Sequence, residues 1–205
     1  MRGERLKRPF TVWFTGFSGS GKSAIGQGVA AALRERRIRV EVLDSSRIRQ
    51  QVNRHLGFTR DEVETNLLRL GYECKLLNRN GVTAIVTAIS PYRDVRDRVR
   101  EQIGHFVEVH CRCPMEVLIE RGSGELFERA KRGEIKHVAG VDVPYEEPLK
   151  PEVLLNTDQI TVDEAVTKVI RTLVVLGRIE RVESACYSPE EEEIIRERLQ
   201  DLGYL

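Results

Sequence analysis

The sequence predicts an α/β fold: a parallel five-stranded sheet with helices on both faces and one further helix at the C-terminus. Three observations carry this. Short β-rich runs alternate with longer stretches of helical periodicity, the pattern of strand–helix–strand crossovers. The run VTAIVTAIS, Val82 to Ser90, is almost uninterruptedly apolar, as a strand covered on both faces must be. A glycine-rich turn joins the first strand to the first helix.

Phe10–Thr15 (FTVWFT) is β-rich and too short for a helix, so it forms the first strand. Over Ser23–Arg37, residues Ile25, Val29, Ala32 and Leu33 share one helical face. Arg39–Asp44 is a second strand that ends on a carboxylate. Arg60–Asn80 is mostly helical, with Leu67, Leu70, Leu76 and Leu77 as its apolar positions. After the third strand, Tyr92–Ile103 is a charged helix and Phe106–Cys111 a fourth strand. Pro114–Arg121 begins another helix, with the proline in its first turn. Residues 122–150 are rich in Gly, Lys, Arg, Glu and Pro and show weak periodicity. Val153–Thr157 supplies a fifth strand, and Thr161–Gly177 a capped helix. In the tail, Ser188 can cap a last helix, Pro189 suits its first turn and Glu191 completes a capping box. Ile195, Leu199 and Leu202 then form one apolar stripe, which predicts docking on the body or on another subunit. The expected division is a domain over residues 1–177 and a helical extension over 178–205.

With 205 residues, 40% of them apolar and 32% charged, the chain has the length and balance of one soluble globular domain with a sizeable core. A net charge of +1 provides no whole-chain field to attract nucleic acid or an anionic membrane. No apolar run reaches membrane-spanning length, and the basic MRGERLKR leads into a strand rather than a signal sequence. Cys74, Cys111, Cys113 and Cys186 match neither a zinc spacing nor a disulfide scaffold. They read as free thiols in a reducing cytoplasm, the expected location.

The chemistry begins in FTGFSGSGKSAIGQ, Phe14 to Gln27. Gly16, Gly21, Lys22 and Ser23 satisfy G-x-x-x-x-G-K-[ST] between a strand and an amphipathic helix. Glycines let backbone N–H groups converge on phosphate oxygens, and the helix start adds its positive end. Lys22 can reach the β- and γ-phosphates, and the Ser23 hydroxyl can ligate Mg²⁺. The loop with Ser18, Gly19 and Ser20, followed by Ala24, is therefore expected to wrap the phosphates of ATP or a similar nucleotide on a P-loop NTPase-type sheet. Such a loop serves hydrolases, motors, switches and small-molecule kinases; the chain has little room for a motor's modules, and no N-K-x-D guanine-reading signature occurs.

The stretches FSGSGKS, LDSSRIRQQVNRHLGF, NLLRLGYECKLLNRNGV, ISPYRDVRDRVR, FVEVHCRCPMEVLIER and RAKRGEIKHVAGVDVPYEEP occur in the order and spacing of adenylylsulfate kinases. The chain resembles that family over about residues 8–177, most specifically in SPYR and GEIK…GVDVPYE. The resemblance implies transfer of a phosphoryl group from ATP, with Mg²⁺, to the 3′-hydroxyl of adenosine 5′-phosphosulfate (APS). The products are PAPS and ADP, in sulfate assimilation. Lys22, Asp44 and Ser90 are then the candidate catalytic residues, and Ser23 with Asp44 the metal-binding pair. Arg49, Phe58, Asn66, Ser90, Arg93 and Lys136 are expected to meet the acceptor. Arg129 and Arg132, in a basic segment with Lys131 and Lys136, are expected to close over the phosphates. Without the resemblance those charges read as a solvated helix face. A homodimer is expected, with a sulfurylase as a candidate partner of the tail helix.

Four positions depart from the family pattern. D-G-D-N reads Asp44-Ser45-Ser46-Arg47, so Ser46 replaces a second carboxylate. An anion-binding Arg after Glu62 is Val63, the aromatic of I-K-x-F-T-G is Val138, and the Lys of K-G-L-Y is Gly124. Each lost stacking or charge contact would cost about 1–3 kcal/mol. They cluster on the acceptor side, so three readings stay open. The acceptor is APS, or it is another nucleotide-linked or phosphorylated alcohol, or the chain is a nucleotide-binding regulatory partner with little catalysis.

Overall fold

The computed structural model describes residues 8–180, 189–201 and 203. Five strands form one parallel sheet: β1 (Thr11–Thr15), β2 (Val40–Asp44), β3 (Thr83–Thr87), β4 (Phe106–Arg112) and β5 (Val153–Asn156), in the order β2-β3-β1-β4-β5. The main helices are α1 (Lys22–Glu35), α2 (Ser45–Gln51), α3 (Arg60–Arg79) and α4 (Arg93–Ile103). They are followed by α5 (Met115–Leu118), α6 (Gly124–Lys131), α7 (Val162–Val175) and α8 (Pro189–Asp201).

Strand alternation divides β1 between two cores. Phe10, just ahead of the strand, with Val12 and Phe14, points toward α1 and α7, where Ile25, Val29, Leu33, Val169 and Leu173 complete a cluster. Trp13 points the other way, among Leu67, Leu70 and Cys74 of α3 and Val95 and Val99 of α4. Truncating a fully buried ring such as Phe14 to alanine would cost about 3–5 kcal/mol. The central strand that carries the glycine loop is thus fixed from both faces.

The structure changes several expected boundaries. Helix α1 stops at Glu35 because Arg37 turns left-handed at φ 60°. Strand β3 ends at Thr87, since residues 88–90 leave the sheet. Of the predicted α3 stripe, Leu67 and Leu70 are buried and Leu77 packs partly buried against the same core, but Leu76 is 38% exposed. Pro114 stands before α5 as its N-cap rather than inside the first turn. A π-helical turn over Ile119–Ser123, broken at Gly122 with φ 93°, joins α5 to α6. Helix α6 lies within the stretch read as weakly periodic, and α2 has no counterpart among the predicted elements.

Helix α7 is capped as expected, the Thr161 side chain accepting from the Glu164 N–H. Helix α8 packs on α7 of the same chain, with Leu199 buried and the Lys150 ammonium donating to the Asp201 carbonyl. Ser188, Leu202 and Cys186 lie outside the described residues, as does the side chain of Glu191. Cys74, Cys111 and Cys113 are free and buried. Among the described residues, no helix is long and apolar enough to cross a membrane.

Candidate active site

The glycine loop leaves β1 at Thr15 and enters α1 at Lys22. Gly16 is irreplaceable on two counts: φ is 145°, and a Cβ would lie 2.4 Å from the Cys111 carbonyl oxygen. Gly21 turns left-handed, φ 87°, to start α1. The first turn of α1 carries no acidic residue, so its N-terminal dipole is unneutralised. Ser20 is buried, while Ser18, Gly19, Ser23 and Ala24 remain accessible along the loop and first turn. Lys22 is only 9% exposed, and its ammonium donates to the Phe17 carbonyl at 2.5 Å. Burial lowers its pKa to about 8, against the opposing pull of Cys111 and Asp44. A cation held with so little solvation interacts strongly with any anion placed beside it.

Asp44 ends β2 next to Thr87 of β3. One carboxylate oxygen accepts from the Ser23 hydroxyl at 3.0 Å and the Thr87 hydroxyl at 2.9 Å. The other accepts from the N–H groups of Ser46 and Arg47, capping α2. Partial burial works to raise its pKa. The bonds from Arg47, Thr87, Ser23 and Ser46 outweigh that and hold the carboxyl below its ordinary range. Ser23 and Asp44 therefore present adjoining hard oxygens, a donor set that fits Mg²⁺ shared with phosphates. Ser46 adds its backbone N–H to this cluster and no second carboxylate.

Immediately past Asp44 opens a pocket of about 280 Å³, whose wall begins at Ser45 and Ser46. It brings together four of the predicted acceptor residues: Arg49, Phe58, Asn66 and Ser90. Phe58 is 55% exposed, so it belongs to the pocket and not to the core. The Arg49 guanidinium lies 4.5 Å above its ring and also donates to the Gly57 carbonyl. Asn66 is buried, its amide accepting from Asn53 and donating to Ser45, and Asn53 in turn accepts from Arg69. Val63 lies in the wall.

Two predicted acceptor residues fall outside this wall. Arg93 heads α4, but its guanidinium donates to the Glu147 carbonyl and its N–H to the Glu146 carboxylate. Lys136 is exposed and does not line the pocket. Arg129 and Arg132 both pair with the Glu134 carboxylate, at 3.2 and 2.6 Å, on an exposed surface.

Ser90, a candidate for both catalysis and acceptor contact, lies in the pocket wall at the end of the connection after β3. Its backbone is left-handed at φ 42°, and its Oγ accepts from Trp13 Nε1 at 3.1 Å and donates to Thr15 Oγ1 at 3.0 Å. The Thr15 hydroxyl donates to the Ile89 carbonyl, and the Tyr145 hydroxyl sits 2.9 Å from Thr15 Oγ1. The Ser90 hydroxyl is thus hydrogen-bonded within the protein while the residue lines the pocket.

Arg96 escaped sequence reasoning as one charge among many in a charged helix. It is 2% exposed and donates to Glu108 Oε1, the Ser90 carbonyl and the Glu146 carbonyl. Burial pushes the Glu108 carboxyl up, though Arg96 and Arg100 pull it down. The legible signal was the position of Arg96 one turn before Val99, on the face that meets the sheet.

Comparison with known proteins agrees with this geometry. The adenylylsulphate kinase family model matches residues 8–156. The adenylyl-sulfate kinase of Rippkaea orientalis (strain PCC 8801 / RF-1) is 46% identical over 82% of this chain and 92% of its own. The probable bifunctional SAT/APS kinase 2 of Sorangium cellulosum (strain So ce56) is 45% identical over 84% of this chain, which spans only 30% of that protein. Among solved structures, the Mycobacterium tuberculosis APS kinase CysC in complex with AMPPNP and APS is 38% identical. It superimposes with a TM-score of 0.76 over 81% of this chain and 98% of that one. By fold, by loop and by sequence, this chain belongs to the adenylylsulphate kinase family.

Proposed function

We propose that this protein transfers the γ-phosphoryl group of ATP to the 3′-hydroxyl of APS, giving PAPS and ADP. One observation carries the reading. The acceptor pocket opens at Ser45, the residue after the carboxylate that meets Ser23 of the glycine loop. Donor phosphates on the loop and a hydroxyl in the pocket are thereby neighbours, and phosphoryl transfer asks chiefly for such positioning and for charge stabilisation. The mycobacterial relative whose structure contains both AMPPNP and APS supports the same pairing.

The backbone N–H groups of residues 16–23 and the start of α1 cradle the phosphates. Lys22 leaves the Phe17 carbonyl for the β- and γ-oxygens, exchanging a neutral partner for a charged one. Ser23 and Asp44 would hold Mg²⁺, which neutralises phosphate charge when bound. Phe58 and Arg49 orient the acceptor, and the Ser90 backbone, braced by Arg96, shapes the floor beneath it. Asp44 is the carboxylate nearest the Ser23 hydroxyl, and organising the cation is its main task; a strong base is not required in a loose transition state. Arg129 and Arg132 exchange Glu134 for phosphate when the basic segment closes. A homodimer and a sulfurylase partner belong to the same proposal, with sizing chromatography and co-purification as their tests.

The test is ADP release with ATP, Mg²⁺ and APS, with the product checked for a 3′-phosphate. APS-dependent ADP release supports the proposal. ADP release that ignores APS overturns it. Val63 in the pocket wall favours a second reading, in which another nucleotide-linked or phosphorylated alcohol is the acceptor; ADP formed only with such a compound selects it.

A further inference from the structure

Resting on the reading of an anionic acceptor, we propose that His137 is a second charge-bearing acceptor-binding residue, which grips the acceptor's 5′-anionic group together with Arg49. No carboxylate lines the pocket, and Arg49 and His137 are the two wall residues that can carry a positive charge. Arg49 is partly committed to the Gly57 carbonyl and to the Phe58 face. The His137 ring, in contrast, is exposed and makes no hydrogen bond among the described residues.

Its backbone is held in a conformation a side chain rarely adopts, with φ 63°. The Asp142 carboxylate enforces this by accepting from the His137 N–H at 2.7 Å and the Val138 N–H at 2.6 Å. The Val138 carbonyl accepts from Val141, Asp142 and Val143, and Ala139 pairs with Val143. This turn divides its residues between two sides. Val138 packs with Cys113, Leu118 and Phe127, whereas His137, Ala139 and Val143 face the pocket. Strain sustained by a dedicated carboxylate, presenting an unbonded imidazole to an apolar-walled pocket, is the mark of a ligand-binding position.

The charged and titratable groups around His137 are Asp142 in its own turn, the adjoining Lys136, Arg49 of α2 and Tyr92 at the head of α4, with Glu62 of α3 beside Arg49. The Asp142 carboxylate is occupied by the backbone N–H groups of His137 and Val138.

The experiment is steady-state kinetics with APS at one fixed pH. It compares the wild type, His137→Asn, which tolerates the left-handed backbone, and His137→Lys, which keeps a cation. His137→Asn should raise the KM for APS about fivefold, and His137→Lys should hold it near the wild-type value. kcat and the KM for ATP should be shared by all three. An unchanged melting temperature shows that His137→Asn is folded. A wild-type KM for APS in His137→Asn overturns the role of His137 alone. Absence of APS turnover in the wild type overturns the acceptor reading and this inference with it.

Discussion

The donor loop and the acceptor pocket adjoin at Asp44 and are built in different ways. The loop is made of backbone amides, glycines and short side chains, and its one cation, Lys22, is almost fully buried. It is rooted in β1, whose side chains fill both cores. The pocket is made of side chains from α2, the loop before α3, α3 itself, the 88–92 connection and the 137–143 turn, with Phe58 more than half exposed. A site of main-chain groups has few tolerable sequences, because a Cβ at Gly16 would strike the Cys111 carbonyl. A site of side chains can be retuned one residue at a time. Two of the four departures from the family pattern, Ser46 and Val63, fall in that pocket wall, while Val138 packs in a small separate cluster and Gly124 begins α6.

This difference can be tested by breaking each half. Lys22→Ala should cause the largest loss, lowering kcat about a thousandfold in the coupled ADP assay, since it removes the charge beside the transferred group. The fold should not suffer, because Lys22 is a desolvated cation. Asp44→Asn comes next, with kcat down about a hundredfold and the KM for ATP changed less. Asparagine can still cap α2, so the melting temperature should hold nearly constant.

The third effect is a pH dependence of the donor half. Lys22 loses its proton near pH 8 in the free enzyme, so kcat/KM for ATP should be full below that value and fall about tenfold per pH unit above it. Stability has the opposite sign. A lysine whose folded pKa is depressed resists charging, so thermal stability should rise as pH climbs from about 8 toward the ordinary 10.5. The smallest effect is that of Phe58→Ala, which removes a stacking face worth about 1 kcal/mol and should raise the KM for the acceptor about fivefold while leaving ATP binding alone.

Much of this was legible in the residues. The strands were marked by short β-rich runs, and the glycine loop by its spacing. Helix α2 was not, because none of its seven residues is buried and so no apolar periodicity announces it; its signal was the capping carboxylate of Asp44. The role of Ser90 depends on Trp13 and Thr15, which lie 77 and 75 positions away and meet it only through the sheet. Arg96 was hidden by the charges around it in α4. Val138 drew attention as a lost aromatic, yet the turn places it in a small cluster and gives the pocket His137 instead.

Titration calorimetry with ATP and Mg²⁺, and with no acceptor present, tests most directly whether the donor half is complete in itself. Saturable binding at one site per chain is expected, unaltered by Phe58→Ala and His137→Asn and weakened by Lys22→Ala. Binding that requires the acceptor, or that disappears with either pocket substitution, would contradict the account.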